Sequence, residues 1–105
     1  MHKLCLYSDI PEGSAKGFEI DGRKIVACNY RENIYIYENS CPHRSIPLEW
    51  QPDQFLDYEK TFIQCATHGA LFKIDTGVCI AGPCVDDKLN KIAFIQEGEQ
   101  ILVEL

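Results

Sequence analysis

Two short fragments carry the chemistry of this chain: Cys41-Pro42-His43 and Cys65-Ala66-Thr67-His68. Each supplies one thiolate and one imidazole, and the two lie in separate stretches of sequence. Thiolates are soft, strongly donating ligands, and neutral imidazoles bind a metal without adding negative charge. A two-Cys, two-His set of this kind is a metal site by composition. Zinc accepts such a set, but zinc fingers place two Cys in one arm and two His in the other. Here each arm is mixed, and the Cys-x-His spacing is unusually tight.

The elements that must hold these arms read as short β-strands. Apolar and β-branched runs alternate with turn residues, which predicts an all-β sandwich or barrel. Strands are predicted over Leu4–Tyr7, Gly17–Ile20, Lys24–Tyr30 and Ile34–Tyr37. Asp21-Gly22 is a two-residue hairpin signal between the second and third, and Arg31–Asn33 turns the chain again. Thr61–Gln64 leads into the second arm, Leu71–Ile74 leaves it, and Asp75-Thr76-Gly77 turns into Val78–Ala81. Lys91–Gln96 and Ile101–Leu105 form a final hairpin. Residues 49–60 break the rhythm and have room for a short helical turn.

The flanks of the two arms are ordered as well. Arg44 and Pro47-Leu48 follow the first arm. Gly69-Ala70-Leu71-Phe72, Thr76-Gly77 and Gly82-Pro83 follow the second. On these residues the chain resembles the Rieske ferredoxin family, of the soluble, low-potential type. The motifs cover about residues 35–85, and size and strand pattern cover the rest. The resemblance implies a single domain over residues 1–105, all-β, with a loop-built cluster-binding part at about 38–85. It implies one [2Fe–2S] cluster per chain, held by Cys41, His43, Cys65 and His68. Cys41 and Cys65 would hold the inner iron, His43 and His68 the outer one. Gly69 would offer a backbone N–H to a cluster sulfur, and Gly82-Pro83 would be the covering loop. Residues 44–64 are a few more than the family usually has between the arms, so an insertion is expected there.

Two departures from the respiratory members of that family bear on potential. Those proteins carry an extra Cys in each arm, and Ile46 and Thr67 stand at the matching positions here. Their hydroxyl donor after the His-Gly pair is replaced by Ala70. Both departures predict the low end of the Rieske range.

Composition narrows the partners. The 105 residues carry a net charge of −6, which argues against nucleic acid and anionic membranes and suits docking on a basic protein surface. Trp50 and nearby carboxylates are expected at the rim of that contact. The start, Met1 to Asp9, has no long apolar run of the kind a signal peptide needs, so the chain reads as cytoplasmic. Six cysteines there suggest metal chemistry before disulfides. Cys5 and Cys28 read as buried small hydrophobes, and Cys79 and Cys84 as packing thiols rather than a redox pair.

By resemblance the function is one-electron transfer from an NAD(P)H-dependent flavin reductase to a terminal oxygenase of an aromatic-ring dioxygenase-like system. Alternatives are the small Rieske subunit of a nitrite-reductase-type complex, or a metal-stabilised structural or regulatory module. No hydrolytic constellation and no phosphate loop accompanies the ligands, so the chain is not expected to be an enzyme by itself.

Overall fold

The computed structural model describes residues 2–40, 48, 55–57, 60–65, 69–82 and 87–105. Nine strands run through them: β1 (His2–Leu6), β2 (Ser14–Ile20), β3 (Arg23–Tyr30), β4 (Asn33–Glu38), β5 (Phe62–Gln64), β6 (Leu71–Lys73), β7 (Cys79–Ala81), β8 (Phe94–Glu97) and β9 (Gln100–Val103). They pair antiparallel in three small sheets, ordered β1-β9-β8, β2-β3-β4 and β5-β6-β7. The expected all-β architecture is the one observed.

The run Ile25-Val26-Ala27-Cys28 is apolar without a break because β3 is buried on both faces. Ile25 and Ala27 join Ile34, Ile36, Ile101 and Val103 in one apolar cluster, against the sheet of β1, β9 and β8. Val26 and Cys28 join Tyr37, Ile63, Phe72 and Cys79 in the other, against the sheet of β5, β6 and β7. Successive side chains on a strand point to opposite faces, so one central sheet serves two cores.

Local turn chemistry sets the registers. Asp21 and Gly22 both take positive φ, 51° and 81°, between the paired residues Ile20 and Arg23. Two left-handed residues match the twist of a hairpin. The next turn does the same with Arg31 and Glu32, at φ 55° and 69°, where neither residue favours that conformation. Contacts from elsewhere hold it. The Arg31 N–H donates to Glu12 Oε2 at 3.0 Å, and the Tyr7 hydroxyl donates to the Glu32 carbonyl at 3.0 Å.

Several expected bounds move, each for a visible reason. The first strand ends at Leu6, because its N–H is taken by Asp9 Oδ2 at 2.9 Å and Tyr7–Asp9 form a 3-10 turn. The second begins at Ser14, since the hairpin register extends to the Ser14–Asn29 pair. The stretch predicted as Lys91–Gln96 is divided between sheets. Lys91 bridges to Tyr37 and the Ile92 N–H donates to Ile36 O at 3.0 Å, beside β4, whereas Phe94 onward pairs with β9. Within 49–60, the described residues Phe55–Asp57 are not helical. Leu56 bridges Ile63, and Asp57 Oδ1 accepts the N–H groups of Thr61 and Phe62. No helix among the described residues is long and apolar enough to cross a membrane.

Candidate metal centre

Cys65 is the expected ligand whose surroundings are described. It stands directly after β5 and is fully buried. Its N–H donates to Ala70 O at 2.9 Å, and its carbonyl accepts the Gly69 N–H at 2.7 Å. These two bonds close the second arm into a tight turn whose ends meet at Cys65 and Ala70. Gly69 sits at φ 69° with open space where a Cβ would be, so glycine is needed for its backbone angle and not for room. The Gly69 N–H is therefore committed to the Cys65 carbonyl. The expected bond to a cluster sulfur is corrected on this point, because closing the turn uses that donor.

A third segment backs this turn. Gly82 lies at φ 101°, and a Cβ there would sit 2.7 Å from Ala70 Cα and 3.0 Å from Ala70 Cβ. The two backbones touch, so both the angle and the contact require glycine. Ala70 is fully buried. The register between β6 and β7 shifts at Leu71 and Phe72, beside this contact.

The first arm is anchored at its base. The Asn39 N–H donates to Lys24 O at 2.9 Å, which seats Asn39 against β3. Its side-chain Oδ1 accepts the Leu48 N–H at 2.8 Å. This bond joins the described residues on either side of the first arm. Leu48 is fully buried in the same apolar cluster as Phe55, Ile63, Cys65 and Ala70. The return of the first arm and the start of the second share one core. Cys41, His43 and His68 lie outside the described residues, as do Arg44, Ile46, Trp50, Thr67, Pro83 and Cys84.

A buried thiol at a strand end, on a turn closed by backbone hydrogen bonds, suits a soft metal held away from water. With the two imidazoles and second thiol of the donor set, it fits an iron–sulfur cluster. Cys79 has another role: it is buried in the core, and its thiol donates to the Ala81 carbonyl at 3.2 Å. Cys5 and Cys28 are buried as expected, and desolvation pushes their thiols up to about 11 and about 12. Both stay protonated near neutrality and are poor metal ligands.

Sequence reading missed Asn39, Tyr37 and Asp57. Each fixes a loop through side-chain hydrogen bonds, and nothing in their spacing marks it. An Asn two residues before Cys41 is the nearest thing to a signal, because Asn readily bonds loop backbone.

A model of the Rieske [2Fe–2S] domain family matches residues 1–97. The ferredoxin component of the naphthalene 1,2-dioxygenase/salicylate 5-hydroxylase systems of Ralstonia sp is 31% identical over 83 residues, covering 79% of this chain and 74% of that protein. The ferredoxin component of the naphthalene 1,2-dioxygenase system of Pseudomonas aeruginosa is 26% identical over 102 residues, covering 97% and 91%. Among solved structures, the ferredoxin of carbazole 1,9a-dioxygenase from Nocardioides aromaticivorans IC177 has the same fold. The TM-score is 0.75 at 23% identity, covering 98% of this chain and 97% of that one.

Proposed function

This chain belongs to the Rieske [2Fe–2S] domain family, and from that premise we propose that it is a ferredoxin. It takes one electron from an NAD(P)H-dependent flavin reductase and delivers it to the terminal oxygenase of an aromatic-ring dioxygenase-like system. The observation that carries this reading is the similarity to ferredoxin components of such systems, over 97% of this chain in the Pseudomonas aeruginosa protein. The buried Cys65 turn supports it from the geometry. All 105 residues form the one domain, with the cluster-binding part at about 38–85.

In this reading Cys41 and Cys65 would hold one iron, and His43 and His68 the other. A Rieske cluster bound there supplies reversible one-electron chemistry. The protein's part is to hold the two arms at fixed separation and keep water off the thiolates. Asn39 and Leu48 fix the base of the first arm. Gly69, Ala70 and Gly82 fix the second and cover it. The imidazole side of the site is the electron's exit, where the acidic chain meets basic partner surfaces. The protein works in the cytoplasm, a reducing compartment that suits the unoxidised thiols of Cys5 and Cys28.

The test is spectroscopic, then kinetic. The purified protein is expected to be red-brown with a Rieske-type EPR signal after reduction. NAD(P)H and a flavin reductase reduce it, and the reduced protein is reoxidised by a terminal oxygenase in rapid mixing. A colourless or zinc-loaded protein overturns the reading. Reoxidation by a nitrite reductase alone would replace the oxygenase as acceptor.

A further inference from the structure

Two arms must present four ligands to one small cluster, so their separation has to be fixed at both ends of each loop. The second arm is fixed by its own turn, through Cys65, Gly69 and Ala70. The described residues on either side of the first arm, Asn39 and Leu48, are joined by a side chain. Asn39 is held at its backbone by Lys24 O at 2.9 Å and linked through Oδ1 to the Leu48 N–H at 2.8 Å, across nine positions of sequence. Both residues are buried, Asn39 at 6% exposure and Leu48 at 0%. Leu48 then packs in the apolar cluster that contains Cys65. One residue therefore connects the central sheet, through its backbone, with Leu48 and the core that contains Cys65, through its side chain.

We infer that Asn39 is the positioning residue of the first ligand arm: its Oδ1 holds Leu48, the described residue that follows that arm in sequence, in the apolar cluster that contains Cys65. The inference rests on the proposed cluster-binding function. The physical requirement is an oxygen acceptor on a short side chain. Without it the Leu48 N–H is buried and unsatisfied, and it opens to find water. Asp keeps an acceptor at the same reach; Ala removes it.

Three proteins test this: the wild type, Asn39→Ala and Asn39→Asp, each purified with iron and sulfide present. The readouts are the EPR line shape, iron per chain, and hydrogen exchange at the Leu48 amide and at the β3 amides of Ile25–Cys28. Asn39→Ala is expected to exchange the Leu48 amide faster, by on the order of tenfold. It should also broaden or split the EPR signal and hold less iron, while β3 exchange stays unchanged. Asn39→Asp is expected to restore the single line shape and the Leu48 protection. A wild-type spectrum and iron content in Asn39→Ala overturn the inference. So does equal acceleration at β3, with no rescue by Asp, because Asn39 would then be only a core residue. A wild type without a Rieske signal fails the functional reading, and this inference with it, before any variant is compared.

Discussion

The Tyr37 hydroxyl donates to the Ile74 carbonyl at 2.5 Å, joining β4 to the turn that follows β6. Tyr37 is 1% exposed, so this bond crosses from the central sheet into the sheet that carries Cys65. Tyr37→Phe keeps the ring and leaves that carbonyl without its donor. A loss of about 1–3 kcal/mol is expected, read by urea denaturation of the holoprotein. An unchanged midpoint would mean that the hydroxyl contributes nothing to joining the sheets.

The same ring explains a glycine. At Gly77, φ 77°, an added Cβ would lie 2.8 Å from Tyr37 Cε1 and 3.4 Å from Leu89 Cβ. At Gly22, φ 81°, nothing lies within 4 Å. Gly22→Ala bears only the left-handed backbone cost, about 1–2 kcal/mol. Gly77→Ala adds overpacking of about 1–3 kcal/mol and is expected to be the less stable of the two. Thermal unfolding of both variants checks the order, and equal losses would refute the contact.

Alkaline stability follows from burial. Desolvation pushes the Cys28 thiol from 9.0 up to about 12, and raises the Tyr37 phenol by burial first, then by nearby Cys28 and Asp75. Both groups are favoured neutral in the folded chain and ionise more easily once unfolded. Their contribution is fully present below the unfolded pKa and is lost as pH rises through the folded one. For Cys28 the window is pH 9 to about 12, with a slope of about 1.4 kcal/mol per pH unit. Denaturation at stepped pH should show stability falling above pH 9, with a shallower fall between about pH 9 and 10 in Cys28→Ala. An identical slope in that variant would count against a protonated buried thiol.

Ligand substitutions and potential test the centre. Cys65→Ser is expected to abolish the cluster and to lower stability, measured by iron content and EPR. His68→Cys, if it retains a cluster, should lower the potential, because a thiolate adds negative charge. In the wild type, Ala70 is buried and offers no hydroxyl, and Ile46 and Thr67 cannot form a bracing disulfide. Hydrogen bonds to cluster sulfur stabilise the reduced state, so the potential should lie near the low end of the Rieske range, about −150 mV. A strongly positive value in a redox titration would reject this account of the loop.

The sequence by itself determined the chemistry class and the strand count, because both are local. Cys41-Pro42-His43 and Cys65-Ala66-Thr67-His68 supply the proposed donors without reference to any other residue. Asp21-Gly22 names its turn through backbone angles that few residues adopt.

Tertiary structure decided what joins distant positions. The stretch 91–96 read as one strand, yet it divides at Ile92 and Ala93, because the strand pairing of each half depends on a partner elsewhere in the chain. Phe55–Asp57 became an extended edge beside β5 for the same reason: Leu56 found Ile63. The bonds from Asn39 to Leu48 and from Tyr37 to Ile74, and the Ala70–Gly82 contact, share this origin. Each joins residues that only the folded chain brings together, since hydrogen bonds and close contacts depend on separations in space that no sequence spacing encodes.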